Sequence, residues 1–176
     1  MITEDLQRIK KMFRKAVLFL MMVLAAVSLI ACGKQEVFAC PFSDADWSLT
    51  AETLVEKEGE PGEIYASVYG GDTYTYPKEY LGRSGTVKYM FSSDGHLASI
   101  AWAWVGESRE ELQNLFNEID AAETALHGKS QFSAENPTSF GDVWYLKSGD
   151  ILISTISGQS SSGLQYAYIS RDYSKR

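Results

Sequence analysis

Residues 97–128 read LASIAWAWVGESREELQNLFNEIDAAETALHG, and inside this stretch the spacing of apolar side chains changes from two to between three and four. Alternation over Leu97–Val105 predicts a strand with Ile100, Trp102 and Trp104 on one face and Ser99, Ala101, Ala103 and Val105 on the other. Ser108 followed by Glu111 is a capping-box pattern. Leu112, Leu115, Phe116, Ile119, Ala122 and Leu126 then follow at helical steps, and Gly128 closes the segment. The paired acids Glu110 and Glu111 fall in the first helical turn, where they complement the positive end of the helix dipole. A strand followed by an amphipathic helix must bury two apolar surfaces against each other or against neighbours. The small face of Ser99, Ala101 and Ala103 admits a helix closely, which would leave the Trp face open; the other reading is that the rings of the Trp face are core.

The same reading extends in both directions. A shorter helix is predicted after Ser48 or Thr50 as cap, with Glu52 in its first turn, Leu54 and Val55 on its apolar side and Gly59 with Pro61 as its stop. Strand-like segments follow at Ile64–Tyr69, Thr73–Tyr76, Thr86–Phe91 and Leu97–Val105, with GGD and SSDG as turns. After the second helix come Val143–Lys147, Ile151–Ser157 and Leu164–Ser170, joined by SGD and GQSSSG. Short turns make neighbouring strands antiparallel. The expected class is therefore α+β: two helix-plus-antiparallel-strand units forming a curved sheet with helices on one face.

The N-terminus is different in kind. Ala16–Ala31 reads AVLFLMMVLAAVSLIA, without charge, after Arg14 and Lys15. Sixteen residues fall short of the roughly 20 needed for a spanning helix, and the run ends in small residues, which is the pattern of an export signal. It closes with Leu29-Ile30-Ala31-Cys32. This site resembles the lipobox of bacterial lipoproteins, in which diacylglycerol is attached to the cysteine sulfur and a peptidase then cuts just before that residue. The resemblance implies lipidation of Cys32, palmitate among its acyl chains, and a location at a bacterial cell membrane on the extracytoplasmic side. Two acyl chains anchor stably where one does not. Glu4 and Asp5 are foreign to such a leader, so translation is expected to start at Met12.

The expected organisation is a signal peptide over 1–31, a lipidated tether over 32–46 and a single α+β domain over 47–176. Fully extended, that tether reaches roughly 50 Å. Residues 1–31 carry five basic and two acidic side chains, so their removal takes the net charge from −7 to −10. An acidic domain is a poor partner for nucleic acid, which demands cationic patches. Composition excludes a disordered chain, since 12% of residues are aromatic, and a disulfide scaffold, since there are two Cys. With Cys32 lipidated, Cys40 lacks a partner in the chain. It is expected as an unpaired thiol in the tether, with an intermolecular disulfide as the alternative.

Element order, size and the lipoprotein start resemble the fold of the β-lactamase inhibitor protein and of the small lipoprotein of the outer-membrane β-barrel assembly machine. The residues that carry the likeness are Cys32, the GEP at Gly59–Pro61 and the SDG at Ser93–Gly95. Those families act by binding proteins through the sheet, and the likeness implies no catalytic residue.

Chemistry-bearing patterns are sparse. His96 and His127 lack zinc-ligand spacing, and Asp44, Asp46 and Asp94 lack the further oxygens among the roughly six to eight that calcium takes. No nucleophile elbow, phosphate-cradling loop or dinucleotide fingerprint is present. No metal, cofactor or catalytic residue is therefore assigned. The binding candidates are Trp102 with Trp104, Tyr74 with Tyr76 and Tyr166 with Tyr168, same-face aromatic pairs of the kind found at binding hot spots. The competing reading is that these rings are core, because cross-strand aromatic pairs stabilise a sheet by about 0.2–1 kcal/mol each. The functional expectation is a lipid-anchored binding domain for a protein, peptide or envelope component. The alternatives are an envelope accessory enzyme and a scaffolding subunit of a membrane complex.

Overall fold

A computed structural model describes residues 39–106, 108–136, 138–157 and 162–174. Cys32 and the apolar leader lie outside them. Within them the class is α+β. Two helices, α1 (Ala51–Glu58) and α2 (Arg109–His127), accompany eight strands: β1 (Glu63–Ala66), β2 (Gly70–Tyr80), β3 (Arg83–Ser92), β4 (Leu97–Gly106), β5 (Phe132–Glu135), β6 (Phe140–Tyr145), β7 (Gly149–Ser157) and β8 (Ser162–Ser170). A single 3₁₀ turn at Arg171–Tyr173 follows β8. The strands form one antiparallel sheet in the order β1-β2-β3-β4-β8-β7-β6-β5.

Local chemistry sets the helix ends. Thr50 and Thr53 cap α1 reciprocally, and Ser108 Oγ accepts from the Glu111 amide at the start of α2. Gly59 (φ 85°) and Gly128 (φ 79°) end them in a backbone region that strains other residues. Each closing glycine is also bonded to the sheet. Tyr76 donates its hydroxyl to the Gly59 carbonyl at 3.1 Å, and Trp144 donates its indole N–H to the Gly128 carbonyl at 2.9 Å. Both helices therefore lie over one face.

That face is the one carrying Ile100, Trp102 and Trp104. The register aligns Tyr74, Tyr89, Ile100, Tyr168, Ile151 and Trp144 in one row across the strands, and Tyr76, Val87, Trp102, Tyr166 and Ile153 in the next. Together with Leu54 of α1 and Leu112, Leu115, Phe116 and Ile119 of α2, these rows form the core. Of the two readings of β4, the structure has the one in which its rings are core, and the helices do not lie against the small face. The face of Ser99, Ala101, Ala103 and Val105 carries neither α1 nor α2; at Ser99 it is covered by Tyr69, whose ring packs against Tyr173 of the 3₁₀ turn. Large rings gain most from removal from water, about 25 cal/mol for each Å² of apolar surface buried, and that gain outweighs the close approach that alanines would allow.

Other boundaries also differ from expectation. β2 continues beyond Tyr76 through Pro77 to Tyr80. Pro77 is tolerated because β1 pairing ends at Thr75, so the missing N–H faces an unpaired edge. β5, at the outer edge, was hidden in the segment FSAE, whose four residues are all exposed. On α2, Ala122 and Leu126 are exposed, and the buried position after Ile119 is Glu123. The domain begins earlier than residue 47. Cys40, Phe42 and Ala45 belong to the core cluster, and the Phe42 ring meets those of Tyr80, Tyr166 and Tyr168 edge-on at 5.7, 5.3 and 6.1 Å.

Candidate functional site

The six aromatic residues singled out in the sequence do share one face, but it is the packed one. Trp102 is fully buried, and its indole N–H donates to the Lys78 carbonyl at 3.0 Å. The ring lies over Gly85, where a Cβ would stand 2.5 Å from Trp102 Nε1. Trp104 is also buried and folds over Gly106 in the same way. Tyr76 packs edge-on against Tyr89 with ring centres 6.0 Å apart, and half-buried Tyr74 meets Phe91 at 5.6 Å. Trp102, Trp104, Tyr76, Tyr166 and Tyr168 therefore hold the helices to the sheet and present no surface to a partner. Their being aromatic is explained by volume: wide rings bridge a layer of roughly 10 Å between sheet and helix.

Beneath α2 lies a polar cluster that sequence reasoning missed. Glu123 is 2% exposed, and its Oε1 accepts from both Tyr166 and Tyr168, the latter at 3.0 Å. The two phenols are 2.9 Å apart. Burial, followed by the neighbouring phenol and carboxylate charge, pushes the Tyr166 hydroxyl far above its ordinary range. Burial likewise raises Tyr168. Both phenols therefore stay protonated and act as donors. Glu123 Oε2 is buried without an aligned hydrogen bond, 3.4 Å from His127 Nε2 one turn along. One turn before it, Asp120 is bonded to Asp142 of β6, and Ser130 donates to Asp142 at 2.9 Å. Burial first, then the hydrogen bond and charge of Asp142, raise the Asp120 carboxyl. A signal for Glu123 existed: positions 112, 116, 119 and 123 continue one helical stripe, so a carboxylate there faces the core.

The entry turn at Cys40–Ser43 borders an open groove of about 490 Å³ lined by Cys40, Phe42, Lys57, Glu58, Lys78 and Glu79, among others. Lys57 pairs with Asp44 at 2.6 Å, and Ser43 Oγ is 2.9 Å from the Tyr89 hydroxyl. Burial pushes the Cys40 thiol up to about 12, which leaves it protonated and unreactive at neutral pH. No group of three or more His, Cys, Asp or Glu side chains arranged to hold a metal occurs among the described residues. Asp44 is taken up by Lys57, Asp46 by Ser48, and Asp94 by Ser92 and Tyr173. His96 is exposed beside Asp94 at 4.0 Å.

The opposite face of the sheet carries neither α1 nor α2; Thr73, Thr75, Ser99, Ala101, Asp150 and Ala167 on it are buried, and its exposed side chains lie toward its margins. Its rows run Tyr65, Thr73, Met90, Ser99, Ile169, Asp150, Tyr145 and then Glu63, Thr75, Lys88, Ala101, Ala167, Leu152, Val143, Phe132. Tyr65, Tyr145, Phe132, Val105 and Ile156 are exposed there. No described helix is long and apolar enough to cross a membrane. No known protein family, curated protein or solved structure matches this chain.

Proposed function

We propose that this chain is an extracytoplasmic binding domain, held to a bacterial membrane by diacylglycerol on Cys32, whose helix-free sheet face recognises a protein or an envelope component. The observation that carries the reading is the asymmetry of the sheet. One face is closed by two helices and the entry turn, while the other, buried at its centre around Ser99, Ala101 and Ala167, leaves Tyr65, Phe132 and Tyr145 exposed on its outer strands. Rigid rings on a regular sheet lose little conformational freedom on binding, which suits them to contact. The anchor is supported by the apolar run ending in LIAC and by the acidic charge of the remainder, which leaves attachment to the lipid.

The same reading treats the domain as two copies of one helix-plus-four-strand unit. Its support is that Tyr76 and Trp144 bond equivalently to the glycines that close α1 and α2, and that β4 and β8, the last strand of each half, pair at the centre.

Two measurements in cells test the proposal. A radiolabelled fatty acid should enter the chain and be absent from Cys32→Ala. A photo-crosslinking side chain at Phe132 or Tyr145 should form discrete adducts that the same side chain at Leu126, exposed on α2, does not. Equal adducts from both faces, or none from the sheet face, would reject the binding reading; a label that persists in Cys32→Ala would reject the anchor.

A further inference from the structure

The first described residues of the chain lie toward one end of the central strands. The chain enters the fold on the helix side, where Phe42 is packed between Tyr80 and Tyr166 and Cys40 shares a groove with Lys78 and Glu79, near the end of β2. Cys32 precedes Cys40 by eight residues, which span at most about 28 Å. The β2–β3 hairpin tip, Leu81 and Gly82, is three or four residues from Lys78. The opposite ends of the strands, near Val68, are eight or more residues of β2 away, or about 26 Å. An anchor on Cys32 therefore reaches the plane of the tip with most of its length in hand. It reaches the far end only with every link pulled straight along the surface.

The tip itself is unusual. Tyr80 pairs with Arg83, so Leu81 and Gly82 form a two-residue turn with φ of 50° and 69°. Such turns favour Asn-Gly or Asp-Gly, because both central residues adopt positive φ. Leu81 is the one non-glycine with positive φ among the described residues, and it is exposed. An apolar residue placed where it strains the backbone, with 38% of its surface left in water, gains from an apolar surface outside the domain. Val105 and Ile156 stand at the same end on the helix-free face, 73% and 67% exposed, flanking Gly163 in one cross-strand row.

Resting on the lipid-anchor reading above, we infer that the strand ends carrying Leu81, Val105 and Ile156 contact the bilayer surface of the anchoring membrane, so that Tyr65 and Tyr145 at the other end point away from it. The occupant is lipid because covalent reach places a bilayer beside these side chains, and shallow insertion gains with the apolar area that enters the interface.

The test uses the lipidated full chain in vesicles of phosphatidylethanolamine and phosphatidylglycerol, with spin-labelled lipid as quencher. An environment-sensitive fluorophore is placed on a cysteine introduced at Ser84, beside the tip, or at Val68, in a Cys40→Ala background. Quenching at Ser84 should exceed that at Val68 by at least about twofold, given the roughly 30 Å of strand between them. Leu81→Asn, which suits the turn, should reduce the Ser84 signal without lowering the thermal midpoint. Equal quenching at both sites, or stronger quenching at Val68, in protein shown by mass to be lipidated would overturn the orientation and leave the anchor standing. Protein without lipid on Cys32 would overturn both. A Ser84 signal unchanged by Leu81→Asn would remove Leu81 from the contact.

Discussion

Replacing Phe42 with alanine decides where the folded domain begins. If residues 40–45 were a loose tether, removing one ring would change stability by about 0.5 kcal/mol or less, as surface substitutions do. The structure instead leaves Phe42 2% exposed, with three edge-on rings at 5.3–6.1 Å. Truncating a core Phe to Ala costs about 3–5 kcal/mol, within which aromatic pairs are worth roughly 0.5–1.5 kcal/mol each. The entry turn is held at few other points: the Ser43–Tyr89 bond, the exposed Asp44–Lys57 pair, and buried Cys40 and Ala45. The cavity would therefore be partly relieved by the turn lifting away, and a loss of about 3 kcal/mol is expected. Urea unfolding of a soluble Cys32→Ala chain, followed by emission of the buried indoles of Trp102 and Trp144, gives the value directly. The thermal midpoint should fall by roughly 10 °C for a chain of this size. Pro41→Ala, at an exposed position beside it, is the control and should stay within about 0.5 kcal/mol of the parent. A Phe42→Ala loss below about 1 kcal/mol would show that the turn is not part of the core. It would also remove the short reach on which the membrane orientation depends.

Gly85→Ala places a Cβ 2.5 Å from Trp102 Nε1 and 2.6 Å from the Ala103 carbonyl oxygen. It should cost at least about 2 kcal/mol and change the near-ultraviolet dichroism of the indoles; an unperturbed spectrum would argue against this packing. Asp120 is raised by burial and by Asp142, so the folded chain holds its proton to higher pH than the unfolded one. That contribution is full below the ordinary carboxylate range and is lost as pH rises through the folded value. Asp120→Asn should therefore raise the melting temperature at neutral pH and leave it unchanged near pH 3; a constant offset at both would refute the shared proton. Cys40, with its thiol raised to about 12, should resist iodoacetamide at pH 8 in the folded chain and react fully in urea. Alkylation of the native protein at the rate of a free thiol would contradict its burial.

Much of the architecture was legible because its causes are local. The caps at Thr50 and Ser108, the glycine stops at Gly59 and Gly128, and the strand periods around Ile100 and Ile153 depend on neighbours in the chain. The missed strand β5 has the weakest local signal, since its four residues are all exposed and it is held in place by its pairing with β6. Glu123 was passed over because a carboxylate is discounted on an apolar stripe unless its partners are known. Those partners, Tyr166 and Tyr168, lie more than forty residues away.

The amino-acid order alone determined that a strand from Leu97 carries two different faces and that an amphipathic helix follows it. Only the tertiary structure decided which face the helix covers. Alternation divides side chains into two sets but carries no sign, and both sets in β4 are apolar enough to be buried. The choice fell to rings on other strands and to Phe42, whose combined volume fills the space under α2, so a decision about one strand was made by side chains remote from it.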